Sequence, residues 1–148
     1  MNKLTLSLSP HVHSGDSVSK NMRWVIIAML PAMLWSFYAF GLGSLIVTAV
    51  SVASCVFFEW AYCKIAKTHC KIYDLSAVVT GVLLAFVCPV TIPYWCIIIG
   101  DFFAIIVVKQ VFGGIGQNFM NPALAARAFM LASWAGPMTG FISPSLFG

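Results

Sequence analysis

Between Met22 and Phe40, and again between Ser44 and Tyr62, the chain is almost wholly apolar, with a single charged residue in each run, Arg23 and Glu59. A helix needs about 20 apolar residues to cross a hydrocarbon core, so these two runs dictate a helical, lipid-embedded fold before anything else is considered. Composition agrees: 61% of the 148 residues are hydrophobic and 8% are charged, whereas soluble domains carry roughly a quarter charged residues. The expectation is an all-α integral membrane protein in contact with the lipid bilayer. The net charge of +4 then belongs to topology rather than to a nucleic-acid-binding face, because the cations cluster beside the apolar runs.

Length and punctuation predict five transmembrane helices, at about 22–40, 44–62, 75–88, 94–108 and 122–138, preceded by a polar arm (1–21) and followed by a Pro/Gly/Ser-rich linker (142–148). Pro31 kinks the first span, Pro89 stops the third, and Asn121 with Pro122 reads as the cap and first turn of the fifth. Lys20 and Arg23 precede span one, Lys64, Lys67 and Lys71 follow span two, and Lys109 ends span four, while the loops near Gly41 and Val90 carry no charge. Cytoplasmic loops hold the excess of cations, so the amino terminus is expected in the cytoplasm. An odd number of spans would insert a following set of five upside down, which is how an inverted repeat is built.

Polar chemistry concentrates in "KQVFGGIGQNFMNPALAAR", Lys109 to Arg127. Gly113, Gly114 and Gly116 allow close approach to the backbone, Asn118 and Asn121 add amide donors, and Lys109 and Arg127 supply cations. Two readings stand. A re-entrant loop would lead into a helix whose N-terminus points N–H groups and a positive dipole at a ligand in a cavity; a tight cytoplasmic turn would use the glycines for packing.

Asp101, an acid inside a span, costs about 2.5 to 3.5 kcal/mol on insertion scales and points either to an ion pathway or to a partner that satisfies it. Glu59 is explained by snorkelling and a surface pair with Lys64. Ser76, Thr80 and Gly81 lie at helical spacing that suits helix packing, with Thr80 a further candidate for touching a cofactor. Cys55, Cys63, Cys70, Cys88 and Cys96 form no CxxC pair and read as small hydrophobes, and His11 and His13 read as a surface or interface feature, so no metal site is expected.

Three ordered motifs, "SPH", "DLSAVVTGVLLAF" followed by "PYW", and "KQVFGGIGQNFMNPALAARAF", resemble the D-type subunits of the Rnf electron-transport complex, a family related to the B-type subunit of the sodium-translocating NADH:quinone oxidoreductase. The similarity runs from about Ser9 to Phe141. It implies a multi-pass subunit in a bacterial or archaeal cytoplasmic membrane, within a complex that moves electrons between ferredoxin and NAD and translocates sodium or protons. It further implies iron-sulfur and flavin partner subunits, and a fold of two inverted five-helix repeats like that of urea transporters. Its cofactor would be FMN, attached covalently to a threonine in a Ser/Thr-x-Ala-Thr motif, with riboflavin as a second candidate. No such motif occurs here: "GPMTGF" has Thr139 without the flanking residues, so the covalent threonine is expected beyond residue 148. Read together with this resemblance, the residues picked out above, Lys109, Gly113, Gly114, Gly116, Asn118, Asn121, Arg127 and Thr80, are candidate cofactor-binding residues, and Asp101 is a candidate for the ion path on local grounds. A solute or ion channel on the same scaffold, or a structural anchor, are the alternatives.

Overall fold

The computed structural model describes residues 17–67, 74–114 and 120–144. Among them every regular element is helical. Helix α1 spans Val18–Phe40 and starts where the Ser17 hydroxyl accepts from the Lys20 N–H at 3.2 Å, a side-chain cap for an orphan donor. It ends at Gly41, whose φ of 67° only glycine adopts cheaply and whose N–H closes on the Phe37 carbonyl at 2.9 Å. Helix α2, Leu42–Ala66, turns back from there.

With 23 and 25 residues, α1 and α2 rise about 35 Å each and exceed a bilayer core of about 30 Å. These two are long and apolar enough to cross a membrane. The rest are shorter: α3 is Ser76–Val87, α4 is Tyr94–Phe102, α5 is Pro122–Ser133 and α6 is Ala135–Thr139. Cys88 takes an extended conformation ahead of Pro89, as a residue before proline must, and that ends α3. The expected fourth span changes winding part-way, since α4 runs directly into a π-helical segment, Phe103–Gln110. The expected fifth span is broken at Trp134, which leaves the helical region and separates α5 from α6.

Helix α2 is the organising element. It packs most extensively on α3, and also on α4, the π segment and α1. Gly81 of α3 makes the closest approach: a Cβ there would lie 2.8 Å from Val52 Cα and 3.0 Å from the Ser51 carbonyl. Small residues at helix crossings let backbones meet in this way where lipid tails supply no hydrophobic drive. A second layer gathers Leu84, Ile97, Ala104, Ala126 and Met130, all fully buried, and Phe103 stacks on Phe129 with ring centroids 4.4 Å apart.

Helix α1 differs, because it buries only Ala39 and exposes Leu34 and Trp35 at 69% each. Side chains of that size and number on one helix require lipid or protein around them.

Candidate functional site

The face that α2 turns toward the bundle is not uniformly apolar. Ser44, Val47, Ser51, Cys55, Glu59 and Cys63 are its buried positions, recurring at the three- and four-residue steps of one helix face. Two polar centres form along it.

At the first, Asp101 of α4 is completely buried. The Ser51 hydroxyl donates to its Oδ1 at 2.8 Å, the Cys55 thiol donates to the same oxygen at 3.2 Å, and the Ser54 hydroxyl meets Oδ2. Ser51 also reaches the Gly81 carbonyl of α3 at 3.0 Å. Every group that faces the carboxyl among the described residues is neutral. This answers the question left by the sequence: Asp101 pairs with no Lys or Arg here, but with hydroxyls and a thiol.

At the second, Lys109 from the end of the π segment lies 2.5 Å from Glu59 Oε1 and donates to Ser76 Oγ, also at 2.5 Å. Gln110 Nε2 donates to the same Glu59 oxygen at 3.2 Å. Both charged residues are 3% exposed, so this is a buried ion pair joining α2, α3 and the π segment. Glu59 Oε2 is buried with no hydrogen-bond partner among the described residues. The expected surface pair of Glu59 with Lys64 is therefore corrected: Lys64 sits over the Trp60 ring, 4.9 Å from its centroid.

The π winding explains how one helix serves both centres. At about 100° per residue, an α-helix would set Asp101 and Lys109 about 80° apart around its axis. The wider i→i+5 winding turns less per residue, about 80°, and brings the two side chains to within roughly 30° of one another.

The glycine-rich stretch begins as a helix terminator. Gly113 and Gly114 have φ of 103° and 92°, and the Gly114 N–H bonds back to the Lys109 carbonyl at 2.9 Å. A Cβ on Gly114 would meet nothing within 4 Å, so conformation rather than crowding requires glycine there. Asn121 caps α5, its Oδ1 accepting from the Ala123 N–H at 3.0 Å. Gly116 and Asn118 lie outside the described residues, as do His11, His13, Cys70 and Lys71.

Of the other predicted groups, Thr80 is buried and donates to the Ser76 carbonyl at 2.9 Å, within its own helix. Arg127 is half-buried on α5 and has no hydrogen bond or ion pair among the described residues. Neither Asn121 nor Arg127 joins the two polar centres. The partners Ser51, Ser54, Cys55 and Gln110 were not singled out from the sequence, although the serines and cysteine stand at the i, i+3, i+4 spacing of a single face.

A model of the NQR2, RnfD, RnfE family matches residues 5–145. The chain belongs to that family. The D-type subunit of the Na(+)-translocating ferredoxin:NAD(+) oxidoreductase complex of Acetobacterium woodii is 53% identical over 136 residues, which cover 92% of this chain and 43% of the relative. The D-type subunit of the ion-translocating oxidoreductase complex of Actinobacillus succinogenes is 42% identical over 141 residues, 94% of this chain and 40% of the relative. The corresponding subunit of Vibrio atlanticus is 39% identical over 142 residues, 95% of this chain and 41% of the relative. The chain thus spans about two fifths of the length of the curated relatives it matches.

Within this NQR2, RnfD, RnfE family member, the matched region takes in both polar centres and the glycine-rich loop. For a flavin, the described residues offer one fitting group, the uncommitted guanidinium of Arg127, which suits a phosphate. Lys109 and Thr80 are already committed to Glu59, Ser76 and the α3 backbone.

Proposed function

We propose that this chain serves in the membrane subunit of a redox-driven, ion-translocating oxidoreductase complex of the ferredoxin:NAD type, with Asp101 on the ion path. The observation that carries the reading is a wholly buried carboxyl on a short apolar helix, met by neutral hydroxyls and a thiol instead of a cation. Buried intramembrane acids are expensive and mark pathways for ions or protons. The names of the relatives, which describe complexes that translocate ions, support the same reading.

The larger architecture follows as part of the proposal. The helices form a five-span unit with a re-entrant element between the π segment and α5, and a second, inverted unit completes a ten-helix subunit. The shared end of the antiparallel α1–α2 pair, which carries Lys20, Arg23, Lys64 and Lys67, lies in the cytoplasm. The partners are iron-sulfur and flavin subunits of the complex in a bacterial or archaeal cytoplasmic membrane. FMN, or riboflavin, is the flavin: it would supply one- and two-electron transfer, while Arg127 and the Gly113–Asn121 loop would bind and orient it.

The test uses the complex in proteoliposomes. Asp101→Asn keeps the side chain's shape and removes its charge; sodium or proton uptake driven by reduced ferredoxin and NAD is expected to fall at least tenfold. Wild-type uptake in that variant would take Asp101 off the path. In parallel, Arg127→Ala is expected to retain less flavin after purification, and unchanged flavin content with normal electron flow would remove Arg127 from the cofactor site.

A further inference from the structure

Helix α1 is fastened to the rest of the fold near one end. Ala39 is its single buried residue, and one turn before it the Ser36 hydroxyl meets that of Ser44 at 2.5 Å. Between Ile26 and Phe37 a groove of about 580 Å³ lies between α1 and the α2–α3 pair. Ile26, Leu30, Met33 and Phe37 stand on its α1 wall, at the three- and four-residue steps of one face, with Ala49 of α2 and Val82 of α3 opposite. The polar side chains on its walls, Ser44 and Thr48, are already engaged, Ser44 with Ser36 and Thr48 with the Ser44 carbonyl at 2.8 Å. An occupant finds no hydrogen bond to make there, so the part of it that enters is hydrocarbon.

The dimensions narrow the choice. From Ile26 to Phe37 the helix rises about 16 Å, about half of a hydrocarbon core of about 30 Å. The groove is therefore one leaflet deep. Its volume over that length gives a section of about 35 Å², less than half that of a helix about 10 Å across. An acyl chain fits these dimensions and a partner's transmembrane helix does not.

Charge sets the other end of the occupant. Arg23 continues the same stripe one turn beyond Ile26, where it is exposed and donates to Ser19 Oγ at 3.4 Å. Lys20, Lys64 and Lys67 are exposed at this end of the helix pair. Against them, among the described residues, stands Asp74 at the start of α3, since Glu59 is paired with Lys109. A guanidinium at the mouth of an apolar groove matches a phosphate joined to a hydrocarbon tail.

We infer that the groove between α1 and the α2–α3 pair holds an anionic phospholipid from the leaflet on the Arg23 side, its phosphate on Arg23 and one acyl chain along Ile26 to Phe37. The lipid supplies the packing that α1 lacks against its own chain.

The test takes the full-length protein purified with its native partner subunits and stripped of lipid in detergent. It is titrated with dioleoyl phosphatidylglycerol or dioleoyl phosphatidylcholine, and bound lipids are counted by native mass spectrometry. Ala49 is exposed on the groove wall, so Ala49→Phe fills the groove and leaves the core alone. Wild type is expected to bind one more phosphatidylglycerol than Ala49→Phe. Arg23→Gln, a surface change that does not threaten folding, is expected to weaken that binding step about fivefold, the effect of one cation beside an anionic headgroup. Its phosphatidylcholine binding is expected to stay as in wild type, and Arg23→Lys to recover most of the loss. Equal phosphatidylglycerol counts in wild type and Ala49→Phe would overturn the lipid in the groove. A partner subunit lost from Ala49→Phe would make the occupant a protein and overturn it too. If Arg23→Gln weakens both lipids alike, or neither, the anionic headgroup on Arg23 is refuted.

Discussion

Replacing Lys109 by methionine tests whether the second polar centre is the buried pair described. The lysine is 3% exposed and holds both Glu59 Oε1 and Ser76 Oγ at 2.5 Å. Methionine keeps the length and volume of the side chain and removes the charge, so packing changes little. What remains is a buried Glu59 with Gln110 on one oxygen at 3.2 Å and nothing among the described residues on the other. Removing one partner of a buried pair costs about 3–5 kcal/mol, mostly from the stranded charge.

The double variant Glu59→Gln/Lys109→Met strands no charge, and its cost is that of imperfectly matched neutral groups, about 1–3 kcal/mol. It is therefore expected to be more stable than Lys109→Met alone. Reversible unfolding in mixed micelles with rising SDS measures both values. If Lys109→Met lies within about 1 kcal/mol of wild type, the pair behaves as an exposed one. If its cost simply adds to that of Glu59→Gln, the two side chains are uncoupled. Either result would refute the buried pair.

Two further expectations concern the backbone. Gly81→Ala places a Cβ 2.8 Å from Val52 Cα and 3.0 Å from the Ser51 carbonyl, where only helix displacement can relieve the clash; a loss of about 1–3 kcal/mol is expected, seen as a lowered melting temperature. Gly100→Ala, which meets the flexible end of Met130, is expected to cost less, and the reverse order would contradict the α2–α3 contact. Asn121→Ala removes the acceptor for the Ala123 N–H and is expected to cost about 0.5–2 kcal/mol. Faster amide exchange at the start of α5, restored by Asn121→Ser, would report it, and unchanged exchange would show the cap to be idle.

The features legible in the sequence were those written locally. The apolar runs gave α1 and α2 to within a few residues, Pro89 stopped α3, and Asn121 with Pro122 marked the start of α5. The π winding was not legible, because "FAIIVVKQ" has the periodicity of any apolar helix; the tertiary demand that Lys109 reach Glu59 is visible only once α2 lies beside it. The break at Trp134 was hidden in the same way. The Glu59 pairing was missed for a different reason. Lys64 looked near in sequence, but five residues along an α-helix is about 140° around it, whereas Lys109 is fifty residues away and adjacent in space. Gly116 and Asn118 lie outside the described residues, so Gly113, Gly114 and Asn121 are the loop positions where sequence and structure meet.

The two centres on α2 differ in where their positive charge comes from. At Glu59 the counter-charge is Lys109, a covalent part of the chain; it can move by a side chain's reach but cannot leave, so that centre suits holding α2, α3 and the π segment together. At Asp101 no described residue supplies a cation. The carboxyl is met by neutral donors alone, and the absence of a tethered counter-charge beside it is the setting that the proposed ion path asks for. If Lys109 instead served Asp101, the path would be blocked by a tethered charge and Glu59 would be stranded.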